Sequence, residues 1–323
     1  MANQTVVRVV FLGMNGRFTT TPLRHVARCH TLVGVVEAAS RRPPQGLLMG
    51  WLRGSRGAGN LRRFSRHYRV PHLRAPGPDS AAPGGPLERF LRRLAPDVLC
   101  ISNFSYLLPP HILAIPRLGT VNLHLSLLPR FRGPCPWLWM FYHQDPWGGA
   151  TVHLVDAGED SGPILGTLHH EVPLGITVGE LADQVLPAAG ELLARALARL
   201  EGGQARPLPQ PDRAGHPRAP WVRPGQPLIP WEEWPVERVW HFLRGSSPWY
   251  EALPPVPGFV HSYPSFSRED PKGPPGTLCR GRRQSWLACR DGRVYTRLEP
   301  VPEELMRLAL AAAAAGLAAL WAW

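Results

Sequence analysis

The sequence predicts an α/β fold built on a mostly parallel sheet, followed by a smaller β unit. Hydrophobic residues make up 44% of the 323 positions, enough to bury a core. Apolar strands at Thr5–Gly13 and Leu32–Glu37 flank a helical stretch at Thr21–Cys29, and this strand–helix–strand order with short links is typical of a parallel sheet. Near the C-terminus, short strand candidates separated by turn signals such as Asp291-Gly292 predict a small β-barrel or sandwich.

The elements between these two parts alternate strands with helices. The apolar periodicity predicts strands at 97–101, 120–125, 150–155 and 164–172. It predicts helices at 87–94, 110–115 and 177–200. A short helix at 236–243 and strands near 276–278, 285–289 and 293–298 complete the prediction.

The composition divides the chain into four segments. A stretch crowded with Pro, Arg and Gly at 204–228 predicts a linker between a first domain at 1–203 and a C-terminal domain at 229–303. The remainder, 304–323, is apolar and predicts a helix that packs on the body of the protein or in a dimer. The alternative is contact of this tail with a membrane surface, which Trp321 and Trp323 would suit.

The charge balance is strongly basic. The formal net charge is +12, and nearly all of the cations are arginines, because Lys272 is the one lysine. A basic surface favours polyanionic partners such as nucleic acid, and the stretch Arg41–Arg69 is the most basic candidate. The alternative is a GC-rich genome that encodes arginine wherever a cation is tolerated.

Cysteine usage indicates a reducing compartment. The count of five is odd and includes no C-x-x-C pair, so the sequence predicts neither a disulfide framework nor a zinc ribbon, and no metal site. The N-terminus lacks the features of a signal peptide, and no segment reaches the roughly 20 apolar residues of a membrane helix. We therefore expect a cytoplasmic protein.

The loop after the first strand is a weak candidate for nucleotide binding. Gly13 and Gly16 leave a G-x-x-G, and Glu37 follows at the end of the second strand. A dinucleotide-binding fingerprint needs a middle glycine that is absent here. A NAD-dependent oxidoreductase is therefore the functional alternative from a different class, and a plain strand-to-helix turn is the structural one.

The segment VNLHLSLLPRFRGPCP is a stronger candidate. Because alternate side chains of a strand share a face, Asn122, His124 and Ser126 are expected to point the same way. Aligned polar groups on an otherwise apolar strand either bond to one another or line a cleft. A basic turn containing Arg130, Arg132 and Gly133 follows, at the end of the strand where ligands bind in open α/β sheets.

A second polar segment, VDAGEDSGPIL, follows about two dozen residues later. It places Asp156 and Asp160 in a glycine-bearing loop between two strands, from which a carboxylate can reach a histidine. A calcium-binding turn is the alternative, but the spacing and the glutamate of an EF-hand loop are absent.

Taken together, these segments resemble the 10-formyltetrahydrofolate-dependent formyltransferase family. The pattern N-x-H-x-S-L-L-P-x-x-R-G, followed by T-x-H-x-x-D-x-G-x-D-x-G-x-I, is similar to that family's signature. The similarity extends over most of the chain and is strongest to the methionyl-tRNA members. It implies a Rossmann-like sheet, an OB-like C-terminal barrel, 10-formyltetrahydrofolate as co-substrate, and a role in protein biosynthesis.

The resemblance also implies residue roles. Asn122, His124 and Asp160 match the catalytic residues: the amide and the protonated imidazole would stabilise an oxyanion, while the carboxylate would keep the imidazole charged and help to remove the amine proton. The residues implied for folate binding are Tyr106, Leu107, Leu108, Asp156 and Gly158. Those implied on the acceptor side are Ser126, Arg130, Arg132 and Gly133.

The motifs indicate the type of reaction more narrowly than they indicate which amine accepts the formyl group. Pro134-Cys135-Pro136 stands where methionyl-tRNA members usually carry A-A-P, and aromatic residues follow. Our first interpretation is methionyl-tRNA, with tRNA as a partner beside the folate. The alternative acceptor is a nucleotide-linked amino sugar or a hydroxylated amino acid.

Overall fold

A computed structural model describes residues 7–39, 60–211, 215–223, 225–247, 249–254, 256 and 259–300. The first part of the basic stretch, up to residue 59, and the predicted C-terminal helix at 304–323 lie outside the described residues.

A seven-stranded sheet forms the larger unit, in the order β3-β2-β1-β4-β5-β6-β7. The first five strands in sequence are mutually parallel, whereas β6 pairs antiparallel with both β5 and β7, so β6 runs opposite to the other six strands. The strands are β1 Arg8–Gly13, β2 Thr31–Glu37, β3 His72–Arg74, β4 Val98–Ser102, β5 Thr120–His124, β6 Trp147–Leu154 and β7 Ile164–Glu171. The mostly parallel sheet predicted from the sequence is therefore confirmed.

Helices cover both faces of this sheet. They are α1 Arg17–Cys29, α2 Leu61–Tyr68, α3 Pro86–Leu94, α4 Pro110–Leu113, α5 Pro136–Tyr142 and α6 Val178–Glu201, with a short 3-10 turn at Pro78–Ala81. The alternation of β1 explains the two layers, because Val9 and Phe11 join one buried cluster while Val10 and Leu12 join the other.

The smaller unit begins with α7, Val236–Ser246, and continues as an antiparallel sheet. Its strands are β8 Phe259–Ser262, β9 Phe266–Ser267, β10 Leu278–Arg280, β11 Ser285–Cys289 and β12 Gly292–Pro300. This agrees with the small C-terminal β unit expected from the sequence.

Aromatic packing joins the two units. Tyr142 of α5 contacts the rings of Trp234 and Phe242, with centroid distances of 4.9 and 5.9 Å. The Gly175 amide donates a 2.9 Å hydrogen bond to Nδ1 of His241, and burial lowers the pKa of this histidine to about 4. His241 is therefore a neutral acceptor inside the interface at physiological pH. Tyr142, one of the aromatic residues that follow the sequence motif, is partly buried and packs against the core.

Element boundaries depart from the sequence prediction in a few places. The helix expected from Thr21 begins at Arg17, because the Gly16 carbonyl accepts from the Thr20 amide and so starts the first turn. Strands β3, β8 and β9 were not predicted, since each has only two to four residues and no clear apolar alternation.

The packing of α6 yields a stability prediction. Leu193 is fully buried against the sheet, so Leu193→Ala should destabilise the fold by about 2–5 kcal/mol through weaker apolar packing and a residual cavity. Arg195→Ala, on the exposed side of the same helix, should change the free energy of unfolding by less than about 0.5 kcal/mol. Urea denaturation of both variants tests this, and equal decreases in stability would contradict the packing.

Candidate active site

One carboxylate joins the polar residues of the two sequence motifs. Asp160, in the loop between β6 and β7, lies with Oδ1 3.1 Å from the Asn122 amide nitrogen and Oδ2 3.5 Å from Nδ1 of His124. The Gly133 backbone N–H donates to the same Oδ2 at 2.9 Å. The structure therefore brings together the amide, the imidazole and the carboxylate that the sequence placed far apart.

A second histidine takes part in this cluster. His153 of β6 is paired with Asn122 across the sheet, and its Nε2 lies 3.1 Å from the Asn122 amide nitrogen and 3.5 Å from Oδ1 of Asp160. Its Nδ1 donates to the Leu154 carbonyl at 2.7 Å, which leaves Nε2 as the acceptor in the neutral ring. His153 is the histidine of the T-x-H-x-x-D motif, but the sequence predicted no role for it. The signal was its register: it faces Asn122 once β5 and β6 pair.

Asp160 is held as a carboxylate in a buried place. Burial alone would raise its pKa, but the neighbouring imidazoles of His124 and His153 and the Gly133 amide outweigh burial and hold the pKa well below its usual range. The side chain of Asp160 keeps only 15% of its surface exposed, and that of His124 keeps 7%. The cluster is thus a shielded negative charge with the Asn122 and Gly133 amides and the His124 imidazole around it.

The contacts of His124 indicate which of its ring nitrogens carry a hydrogen. Nε2 lies 2.9 Å from the carbonyl oxygen of Phe131, which can only accept, so this nitrogen carries a hydrogen. Nδ1 faces the Asp160 carboxylate, which also only accepts. A doubly protonated ring satisfies both contacts, whereas a neutral ring would direct a lone pair at an anion.

The residues predicted on the acceptor side take different positions. Ser126 lies beyond the end of β5, and its hydroxyl donates to the Arg130 carbonyl at 2.8 Å rather than joining the cluster. The Arg130 guanidinium pairs with Asp145 and lies over the Phe131 ring. Gly133 has a φ of 120°, and a Cβ there would meet the Ala219 carbonyl oxygen at 2.8 Å, so glycine allows the close approach of the next segment.

That next segment is the stretch predicted to be a linker. It is extended, as a linker would be, but it lies across the site. The Phe131 amide donates to the Pro217 carbonyl at 2.7 Å, and the Cys135 amide donates to the Ala219 carbonyl at 3.0 Å. Gln210 donates to the Asp160 and Gly162 carbonyls. We call residues 208–219, as far as the structure describes them, the covering segment.

The residues predicted for folate binding lie in two places. Leu107 and Leu108, after β4, border a cavity of about 300 Å³, and Leu107 is 65% exposed. The Tyr106 hydroxyl donates to the Ala75 carbonyl, and burial raises its pKa to about 12. In the other place, Asp156 accepts from the Gly158 amide at 3.0 Å and so shapes the loop that carries Asp160.

Glu37, the acidic residue of the weak dinucleotide-binding candidate, bonds to neighbouring side chains. The Glu37 carboxylate accepts from the Asn15 amide at 2.8 Å and contacts His72 at 3.0 Å, so it is occupied within the protein.

Among the residues that the structure describes, no group of three His, Cys, Asp or Glu side chains could hold a metal ion. In the same part of the chain, no helix is both long and apolar enough to cross a membrane.

Comparison with known proteins decides the family. A model of the family described as formyl transferase matches residues 83–197, which include Asn122, His124 and Asp160. A methionyl-tRNA formyltransferase of Salinispora tropica is 34% identical over 235 residues, which cover 72% of each chain. The chain belongs to the formyltransferase family. A relative with the same name from Myxococcus xanthus is 31% identical and covers 69% of this chain and 72% of its own.

Other comparisons are partial or show the fold alone. The relative from Pelobacter propionicus, 35% identical, is matched over 62% of this chain but only 63% of its own length. Among solved structures, an N-formyltransferase of Helicobacter canadensis, in complex with folinic acid and dTDP-3-aminofucose, superposes with a TM-score of 0.63 at 11% identity. It covers 91% of this chain and 100% of its own. A glycinamide ribonucleotide transformylase of Symbiobacterium toebii has a TM-score of 0.51 at 22% identity, covering 63% and 94% of the two chains.

The lowered pKa of Asp160 predicts how stability depends on pH. A carboxyl whose pKa is depressed on folding contributes stability above its unfolded-state pKa of about 3.9, and loses it as the pH falls through the folded-state value. Asp160→Asn cannot titrate. The difference in unfolding free energy between the wild type and this variant should therefore be constant above about pH 5 and change in favour of the variant below about pH 4.

Urea denaturation between about pH 3 and pH 7 measures this difference. Asp79→Asn, at an exposed carboxyl outside the site, serves as the control and should follow the wild type. A constant difference between wild type and Asp160→Asn across the whole range would contradict the depressed pKa.

Proposed function

We propose that this chain transfers a formyl group from 10-formyltetrahydrofolate to a primary amine, with Asn122, His124 and Asp160 as catalytic residues. The observation that carries the proposal is the Asp160 carboxylate, which lies within 3.5 Å of both the Asn122 amide nitrogen and Nδ1 of His124. Membership of the formyltransferase family supports the same reaction class.

The proposed reaction needs a charged imidazole beside the formyl carbonyl. Attack by the amine nitrogen on the formyl carbon forms a C–N bond and places negative charge on the oxygen. The imidazolium of His124, kept by Asp160, stabilises that charge. The attacking nitrogen then gives up a proton, with Asp160 helping to remove it directly or through water. Cleavage of the bond to N10 releases tetrahydrofolate, whose nitrogen takes up a proton.

Asn122 must exchange a hydrogen bond to act on the oxyanion. Its amide nitrogen lies 3.1 Å from both Asp160 Oδ1 and His153 Nε2, so both of its hydrogens have partners within the protein. Donation to the oxyanion would replace one of these bonds. His153 is the partner whose replacement costs less, because an amide donates more strongly to a carboxylate than to an imidazole nitrogen.

The proposed folate site lies between the loop that follows β4 and the loop that follows β6, the two strands on either side of β5. Leu107 and Leu108 offer an apolar surface after β4, and Asp156 with Gly158 shapes the loop on the other side of the cluster. Leu107 is exposed, and a planar ring that covered it would remove its apolar surface from water, which is favourable.

Removing the Asn122 amide should reduce turnover strongly. For Asn122→Ala we expect kcat to fall by roughly 100- to 1000-fold, the usual effect of deleting one oxyanion donor. His169→Ala, at an exposed histidine on β7, is the control and should retain wild-type turnover. Release of tetrahydrofolate from 10-formyltetrahydrofolate is the measurement, and full turnover by Asn122→Ala would refute the assignment.

For the acceptor we propose methionyl-tRNA. The named relatives are methionyl-tRNA formyltransferases. A cluster of arginines supports the same acceptor, because Arg62 and Arg66 of α2, Arg69 directly after it and Arg74 line a cavity of about 790 Å³. In the part of the chain that the structure describes, no carboxylate forms an ion pair with these four, whereas arginines such as Arg17, Arg92 and Arg117 do pair.

An unneutralised arginine cluster suits phosphate groups. Each bound phosphate releases condensed counterions, so binding to nucleic acid weakens steeply with salt, whereas a small amine acceptor shows little such dependence. An enzyme that uses tRNA and folate works in the cytoplasm, which is the compartment we propose. The five cysteines, none of which is in a disulfide, suit that compartment.

Salt-dependent binding of initiator tRNA tests the acceptor. Arg66→Ala/Arg69→Ala should flatten the slope of log K against log salt by about 0.7–0.9 for each phosphate that these arginines no longer neutralise. Arg92→Ala/Arg93→Ala removes the same formal charge from α3, where Glu88 already pairs with Arg92, and should change the slope less. Formylation of a nucleotide-linked amino sugar or a hydroxylated amino acid, without formylation of methionyl-tRNA, would show that the acceptor is a small molecule.

A further inference from the structure

Every polar atom of the Gln210 side chain is bonded to the candidate site. Nε2 donates to the carbonyl oxygens of Asp160 and Gly162, at 2.9 and 2.7 Å. Oε1 accepts from Nε and Nη2 of Arg132, at 3.0 and 2.6 Å. The amide therefore contacts both loops of the site, from a segment that lies 48 to 78 residues away in sequence.

The contact with Asp160 falls on an unfavourable backbone conformation. Asp160 has a φ of 50°, in the left-handed region that residues with a Cβ seldom adopt. This conformation turns its carboxylate toward Asn122 and Gly133. The bonds from Gln210 hold the carbonyls on either side of Ser161, so they fix the turn that aims the carboxylate.

The hydrogen bonds form a closed ring. On one side of the loop the Asp160 carboxylate accepts from the Gly133 amide, and on the other side the Asp160 carbonyl accepts from Gln210. Arg132, next to Gly133 and only 5% exposed, completes the ring by donating back to Gln210. A displacement of either loop would therefore break hydrogen bonds that connect it to the other loop or to Gln210.

We propose that Gln210 is a positioning residue for formyl transfer, which holds the Asp160 turn and the Arg132–Gly133 turn in register through its amide. The proposal rests on the proposed function of Asp160. It predicts that both the donor and the acceptor of the amide are needed. A purely structural role, as a partner for buried Arg132, would need the acceptor alone.

Two substitutions separate these roles. Gln210→Glu keeps an oxygen for Arg132, and adds an ion pair with it, but presents a carboxylate to the two carbonyl oxygens that now accept from the amide. Gln210→Met keeps the size of the side chain and removes all of its hydrogen bonds. Gln204→Glu, at an exposed glutamine of the same stretch, is the matched control for the added charge.

The measurements are kcat and KM on the acceptor that the wild type uses, the thermal midpoint, and deuterium exchange of the peptides that contain Gly133 and Asp160. For Gln210→Glu we expect kcat to fall between about tenfold and about 100-fold, as for a small misplacement of a reacting group. KM should change by less than about threefold, and the thermal midpoint should stay close to that of the wild type. Exchange should become faster in both peptides.

The outcomes distinguish this inference from the proposed function. If the wild type transfers formyl groups and Gln210→Glu has the same kcat, the positioning role is overturned and the proposed formyl transfer stands. No wild-type turnover on any acceptor would refute the proposed function, and the exchange data would still decide whether Gln210 holds the two turns. Unchanged exchange in Gln210→Met would overturn the inference by itself.

Discussion

A buried carboxylate needs partners, and this requirement organises the centre of the molecule. Asp160 is largely removed from solvent, and an anion in such a place is tolerated only with charge and hydrogen bonds around it. Those partners come from β5, β6 and the turn after β5. The sheet order brings β5 and β6 together, so the ionisation of Asp160 depends on the topology of the sheet.

The chain between the two units contributes to the same arrangement. A proline- and arginine-rich stretch would be expected to be solvated along its length. Its backbone instead forms hydrogen bonds with the backbone of Phe131, Arg132 and Cys135. Proline has no N–H to satisfy, and its carbonyl still accepts, so a proline-rich segment can cover polar loops without leaving its own donors unpaired. The covering segment thus completes the surroundings of the site rather than merely spanning a distance.

The sequence predicted the elements whose burial leaves a periodic pattern. The parallel strands β1, β2, β4 and β5 and the long helix α6 have such patterns, and the structure confirms them. Asn122 and His124 could be selected because a polar residue on an apolar strand needs a partner, and Asp160 because its glycine-bearing loop completes the motif of the family. Gln210 could not be selected, since nothing local distinguishes it and its contacts lie 48 to 78 residues away. Strands of two or three residues, such as β9 and β3, are set by their neighbours rather than by their own composition.

The aromatic interface around α7 restricts how this protein can be divided. A Cβ on Gly175 would lie 2.1 Å from the Trp240 ring, and one on Gly245 would lie 2.1 Å from the Phe141 ring, so each unit presents a bare backbone to the other's aromatic side chain. Such surfaces leave no room for water or for a larger residue. A recombinant fragment ending at residue 203 would uncover the apolar side of α5 and would also lack the covering segment. The smallest piece of the chain that can be studied as an enzyme therefore extends well past the boundary that its composition suggests.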